Sequence, residues 1–114
     1  MGFGDAISSC FSKYATFTGR AERSEYWYWV LFGTIGGVVF AIISVLISHI
    51  GGAVLGWVFD LATIIPTIAV AARRLHDTDR SGWWQLLGFV PVVGWIILLV
   101  WFSQPGAPGA NRFG

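Results

Sequence analysis

The charged and titratable side chains of this sequence are concentrated in two short segments, and these residues have the greatest capacity for chemistry. The first segment begins near Gly19. The second follows Ala72, where a continuing helix would place Arg73, His76 and Asp77 on one face at spacings of three and four residues. The resulting cluster consists of Arg20, Glu22, Arg23, Glu25, Arg73, Arg74, His76, Asp77 and Arg80. Its guanidinium, carboxylate and imidazole groups suit ion pairing, phosphate binding or proton transfer.

Each of these three chemistries makes a different demand on the cluster. An ion-pair network would hold helices together at the depth of the lipid headgroups. Arginine also binds phosphate through paired hydrogen bonds, and basic pockets between helix ends hold anionic headgroups, so a lipid headgroup or a nucleotide is a candidate ligand. Catalysis as a lipid-modifying enzyme, with His76 as the general base beside Asp77, has the least support. Adjacent helical residues do not face each other, and no Ser or Cys nucleophile motif accompanies them.

A second polar set lies inside an apolar stretch and consists of Asp60, Thr63 and Thr67. Since a carboxylate in lipid is costly, we expect Asp60 to face the interior of a helix bundle or to be protonated. The stripe forms either interhelical hydrogen bonds or part of a proton or ion path. Because so few helices enclose almost no volume, a channel or transporter that uses Asp60 would have to be an oligomer.

Three long apolar stretches must position these polar groups, and they are residues 26–48, 53–72 and 83–102. A membrane-spanning helix needs about 20 mostly apolar residues, which each stretch supplies. The sequence therefore predicts an all-α integral membrane bundle of three transmembrane helices within a single domain, 1–114. Pro91 and Gly94 leave an alternative for the third stretch, a re-entrant hairpin that returns the tail to the side from which it came.

The remaining segments flank this bundle. Residues 3–17 predict an amphipathic helix, because Phe3, Ile7, Cys10 and Tyr14 recur at spacings of three and four. It would lie in the membrane interface or against the cytosolic ends of the bundle. Residues 103–114 predict an irregular tail rich in Gly and Pro. The tail motif, Asn111 and Arg112, is expected either to be solvated or to dock onto the bundle.

Two glycine pairs with a spacing of four residues predict close helix packing, either within the bundle or between subunits. They are Gly33 with Gly37 and Gly52 with Gly56.

Composition limits the functional class. Charged residues make up 11% of the chain and hydrophobic residues 55%, whereas a soluble domain carries about 25% charged residues. This argues against an ordinary soluble enzyme, and the net charge of +1 argues against a nucleic-acid binder. The single Cys10 excludes an internal disulfide and a cysteine-based metal site.

We expect no catalytic residue, cofactor or metal, and we expect membrane lipids, a homo-oligomer or a partner membrane protein as the partners.

The placement of Lys and Arg predicts the orientation. These residues precede the first apolar stretch and follow the second, and the short connection between the two stretches has none. The positive-inside rule therefore places the N-terminus in the cytoplasm. Three full spans would then place the C-terminus outside.

Three segments together resemble a known family. They are Gly19–Trp27 (GRAERSEYW), Arg73–Trp84 (RRLHDTDRSGWW) and Gly109–Gly114 (GANRFG). They are similar to the bacterial inner-membrane family known as domain of unknown function 805, of the YhaH type, and the resemblance extends from about Phe11 to the end. It implies a small multi-span protein of the bacterial inner membrane. It implies no activity, because the family has none established.

Overall fold

A computed structural model describes residues 2–114, which form helices joined by short connections. Two of the helices, Arg23–Leu46 and His49–Asp77, are long and apolar enough to cross a membrane. The elements in order are α1 (Phe3–Ser12), α2 (Arg23–Leu46), α3 (His49–Asp77), a 3₁₀ helix (Gly82–Phe89) and α4 (Val93–Ser103). The all-α membrane bundle predicted from the sequence is confirmed as a fold class.

The helices α2 and α3 form an antiparallel hairpin with a link of two residues, 47–48. Ser48 caps α3 by accepting a hydrogen bond from the Gly51 N–H at 3.0 Å. Next to this cap, Gly52 lies so close to α2 that a Cβ there would be 2.4 Å from the Ser44 nitrogen. Gly33 and Gly37, in contrast, have open space where a Cβ would be. Only one of the two predicted glycine pairs therefore contributes to the hairpin.

The N-terminal helix is shorter than predicted and packs against the bundle. It ends at Ser12 rather than at residue 17, and its residues Ala6 and Cys10 are fully buried. Its Phe11 ring lies 5.2 Å from the Trp29 ring of α2 in an edge-to-face contact. Of the two predicted positions for this helix, the structure shows packing against the bundle.

The connection after α1 completes the hydrogen bonding of α3. Pro66 lies inside α3 and has no N–H, so the carbonyl of Ala62 four residues earlier lacks its helical donor. The Tyr14 hydroxyl donates to this carbonyl at 2.5 Å. The proline therefore creates an attachment point for the N-terminal segment.

The prediction of a continuous third transmembrane helix over 83–102 is wrong. This stretch folds as a hairpin, because the 3₁₀ helix ends at Phe89 and α4 begins only at Val93. Val92 at the tip has a φ of +64°, and a Cβ on Gly94 would lie 1.8 Å from the Leu87 carbonyl oxygen. The 11 residues of α4 extend for about 16 Å, roughly half of the hydrocarbon thickness.

The hairpin returns the chain to the end of the bundle from which it left. The chain enters where Gly82 packs against Ala72, and it leaves where the Phe102 carbonyl accepts a hydrogen bond from the Trp27 indole at 3.2 Å. The tail consequently lies beside Arg20, at the N-terminal end of α2. The structure thus has the hairpin that Pro91 and Gly94 left as the alternative to a full third span, and the side of the membrane on which the C-terminus lies stays a prediction.

Single cysteines should report this topology, because native Cys10 is buried. We expect a membrane-impermeant maleimide to label Thr18→Cys and Pro108→Cys from one side of the membrane and Gly51→Cys from the other. The measurement is labelling in intact spheroplasts and in inverted vesicles. Labelling of Gly51→Cys and Pro108→Cys from the same side would contradict the hairpin.

Candidate functional site

Two neighbouring arginines at the end of α3 point into the protein. Arg73 and Arg74 are 1% and 0% exposed, so each guanidinium requires buried partners. Arg73 pairs with Glu25 of α2 at 2.7 and 3.2 Å. The Ser9 hydroxyl of α1 donates to the same carboxylate at 3.3 Å, and Arg73 Nε donates to the Thr16 carbonyl at 3.2 Å. This buried pair joins α1, α2 and α3.

Arg74 binds backbone from two other parts of the chain. Its Nε donates to the Phe102 carbonyl at 2.9 Å, and its Nη2 donates to the Gln104 carbonyl. Its Nη1 donates to the Ala21 carbonyl at 3.3 Å and to the Asp77 carboxylate at 2.7 Å. One side chain thus fixes the end of α4, the start of the tail and the entry to α2.

Arg20 holds the next part of the tail. Its Nε pairs with the Asp77 carboxylate at 2.7 Å. Its other nitrogens donate to the carbonyls of Ala107 at 2.7 Å and Gly109 at 2.6 Å. Asp77 therefore receives both Arg20 and Arg74. We call Arg20, Glu25, Arg73, Arg74 and Asp77 the arginine network.

His76 lies beside this network and is in contact with the tail motif. Its Nδ1 is 2.8 Å from the Gly19 carbonyl oxygen, and its ring stacks on Phe113 at 4.0 Å with an interplanar angle of 5°. The Asn111 side chain donates to the His76 backbone carbonyl at 2.9 Å. The structure thus brings the tail motif onto the bundle.

Two further members of the predicted cluster lie outside the arginine network. Arg23 and Glu22 are exposed. Arg23 donates to the Ser103 carbonyl at 3.3 Å, and Glu22 accepts a hydrogen bond from Ser24 at 3.3 Å. These residues form the outer surface at the entry to α2.

The tail also engages arginines near the end of α3. Arg80 donates to the Gln104 side chain at 3.0 Å and lies 4.5 Å over the Trp101 ring. Arg112 pairs with Asp79 at 3.2 Å, and both side chains are well exposed, at 61% and 49%. We call Arg23 and Arg112 the basic rim.

The intramembrane stripe does not meet the network. Asp60 is exposed on the surface of α3, so the expectation that it faces the interior of the bundle is wrong for the single chain. The Thr63 hydroxyl donates within its own helix to the Phe59 carbonyl at 2.9 Å, and Thr67 accepts from the Trp29 indole at 3.0 Å. Of these three residues, only Thr67 has a hydrogen bond that joins the two long helices. Protonation of Asp60 stays a prediction.

The chemistry available at this end of the bundle is recognition of charged or polar groups. Burial and the Glu25 carboxylate raise the pKa of the Cys10 thiol to about 11, so it is not a nucleophile at neutral pH. Within residues 2–114, no three His, Cys, Asp or Glu side chains are grouped to hold a metal ion.

Sequence reasoning missed the acceptors that surround the arginines. Most of them are backbone carbonyls, at Thr16, Ala21, Phe102 and Gln104 among others, and a carbonyl has no sequence signature. Ser9 and Asp79 are side-chain partners that were also missed. The one available signal for Ser9 was its spacing of three residues from Ala6, which places it near the buried side of α1.

Comparison with known proteins places these features in a family. The model of the family described as protein of unknown function (DUF805) matches residues 14–114. The chain is 47% identical to inner membrane protein YhaI of Escherichia coli K12, over 93% of this chain and 89% of YhaI. It is 42% identical to inner membrane protein YhaH of the same strain, over 90% of this chain and 87% of YhaH. No solved structure matches it significantly.

Replacement of Arg74 should affect stability, whereas replacement of a residue of the basic rim should not. Lysine presents a single ammonium and cannot reach the four acceptors of Arg74, so we expect Arg74→Lys to lower the free energy of unfolding by about 3 kcal/mol. The exposed Arg112→Lys should change it by less than about 0.5 kcal/mol. Circular dichroism during denaturation in mixed micelles measures both values. Equal stability of the two variants would contradict the structural role of Arg74.

Proposed function

Because the chain belongs to the DUF805 family, we propose that it is a non-enzymatic integral protein of the bacterial inner membrane that binds anionic lipid headgroups at its cytoplasmic end. All 7 Lys and Arg residues lie outside 24–72, and the connection between α2 and α3 contains none of them. The positive-inside rule supports a cytoplasmic N-terminus. Since the tail contacts Arg20, the C-terminus then also faces the cytoplasm.

The observation that carries this proposal is the division of the arginines into inner and outer groups. Arg73 and Arg74 are buried and hold carboxylates and carbonyls of the chain itself. Arg23 and Arg112 are exposed, and each guanidinium has five N–H donors, more than its hydrogen bonds to Ser103 or to Asp79 use. A headgroup phosphate would therefore meet the basic rim rather than the network.

The charge balance supports an anionic partner. The cytoplasmic end holds all 7 basic residues and 5 of the 6 acidic ones, since Asp60 is the exception, which leaves a formal charge of +2. The arginine network, with three arginines and two carboxylates, accounts for +1, and the groups around it, which include the basic rim and exposed Lys13, account for the other +1. Basic residues close to an anionic membrane surface contribute about 1 kcal/mol each.

Removal of the rim charges tests this proposal. We expect Arg23→Gln/Arg112→Gln to reduce the preference for phosphatidylglycerol over phosphatidylcholine by about tenfold or more, because two contributions of about 1 kcal/mol are lost. Arg23→Lys/Arg112→Lys retains the charge and should keep most of the preference. Native mass spectrometry of protein in nanodiscs of both lipids measures the ratio. An unchanged ratio in the Gln double variant would exclude headgroup binding at the rim.

A second candidate function, an oligomeric channel or transporter, draws support from Asp60. This residue is 11 residues from the start of α3 and 13 from Arg73, which places it about 16 and 20 Å from the two ends of the span. Its carboxyl group is exposed on the single chain, where lipid would surround it. Intramembrane carboxyl groups usually face protein or a water-filled cavity, and several copies could supply such surroundings.

Asp60→Asn distinguishes this second candidate from the first. A transport function predicts proton or cation flux in proteoliposomes that is lost in Asp60→Asn, whereas Thr67→Val should retain it. The oligomeric state, measured by native mass spectrometry, should exceed one chain. A monomer without flux would exclude the candidate and would leave lipid binding unaffected.

A further inference from the structure

A groove on the surface of the bundle lies next to His76 and is not part of the arginine network. The face of α3, the connection after α1 and the 3₁₀ helix form its walls, and its volume is about 570 Å³. Pockets for small ligands commonly have about 300–1,000 Å³. The residues that line it include Phe17, Ile68, Ala72, His76, Leu86 and Phe89. It is therefore large enough to hold a molecule.

The lining changes from polar to apolar along the groove. His76 and Ser81 lie at the end nearest the network, whereas Ile68, Leu86 and Phe89 lie deeper along the span. Gln85 also lines the deeper part, where its side-chain amide donates to the Ile68 carbonyl at 3.2 Å. Phe89 is 83% exposed, so the wall that it forms is open to the bilayer. A molecule that matches this gradient has one polar end at the membrane surface and an apolar body in the hydrocarbon.

The groove runs along the apolar part of α3. Eight residues separate Ile68 from His76, which gives a length of about 12 Å along α3. Phe17, Leu86 and Phe89 contribute apolar walls, and the groove opens towards the bilayer, where lipid acyl chains are the surrounding molecules. An acyl chain can therefore enter the groove from the side.

The polar end of the groove presents a hydrogen-bond acceptor. His76 Nδ1 faces the Gly19 carbonyl oxygen at 2.8 Å, and a carbonyl oxygen accepts only from an N–H, so Nδ1 carries a proton. In the neutral ring, Nε2 is then an acceptor. It lies on the groove side, 3.7 Å from where a Cβ on Gly82 would be. The stack on Phe113 fixes the plane of the ring.

We infer that the groove binds one acyl chain of a membrane phospholipid, with a headgroup N–H or O–H donor close to His76 Nε2. This inference rests on the proposed function for the presence of lipid at this end of the protein. To the proposed function it adds that the groove holds the acyl chain of the lipid and that His76 orients its headgroup. The basic rim then accounts for a preference among lipids, and the groove accounts for retention of a lipid of any charge.

Variants that fill the groove test the inference. Leu86→Trp and Phe17→Trp place a larger side chain on opposite walls of the groove. Val38→Trp introduces the same side chain on the exposed face of α2 and is the matched control. The proteins are released from nanodiscs of phosphatidylethanolamine and phosphatidylglycerol into native mass spectrometry. We expect the unmodified chain and Val38→Trp to retain one phospholipid, and each groove variant to retain at least tenfold less. Helical content by circular dichroism verifies the fold of each variant.

The outcomes separate this inference from the proposed function. Retention of the lipid in both folded groove variants, or its absence from the unmodified chain, would overturn the inference. If Arg23→Gln/Arg112→Gln removes the bound lipid and the groove variants do not, rim binding stands and the groove inference is wrong. If the groove variants release all lipids and the rim variant keeps its headgroup preference, the groove inference stands and the proposed function is wrong.

Discussion

The structure depends on the need of two buried guanidinium groups for hydrogen-bond acceptors. Arg73 and Arg74 are at most 1% exposed, and a buried charge without partners is among the costliest defects a fold can contain. Within α3 itself, the acceptor that these two side chains find is the Asp77 carboxylate, which pairs with Arg74. The other acceptors come from α2, from the connection that precedes it, from the end of α4 and from the tail. Segments that are distant in the sequence meet because these two residues require them.

The two long helices, α2 and α3, could be predicted from the sequence, because the length and apolarity of a stretch are local properties. It left the break in the third apolar stretch only as an alternative to a full span, because hydropathy is the same for a span and for a hairpin. The signals for the break were Pro91 and the small size of Gly94, whose backbone contacts the Leu87 carbonyl. Docking of the tail escaped prediction for another reason, since Arg20 and Arg74 recognise main-chain oxygens that any residue type supplies.

Structure and recognition use different parts of one charged end. The arginine network serves the fold, with Glu25, Arg73 and Arg74 buried and with Arg20 and Asp77 partly exposed. The proposed sites for ligands, the basic rim and the groove beside His76, lie around it. His76 is the residue that links them, because it touches Gly19 and Phe113 on one side and lines the groove on the other. A ligand at Nε2 would therefore act on the same ring that holds the tail.

The positions of the Arg74 acceptors in the sequence imply that this arginine is synthesised before some of its partners. The carbonyls of Phe102 and Gln104 follow Arg74 by 28 and 30 residues. During synthesis, α2 and α3 can enter the bilayer as a finished pair while Arg74 still lacks these acceptors. Water or lipid phosphate must serve the guanidinium until the hairpin and the tail emerge. The hairpin and the tail, which are synthesised after α3, thus close the site around Arg74, and a chain interrupted between α3 and the hairpin would leave this guanidinium without those two acceptors.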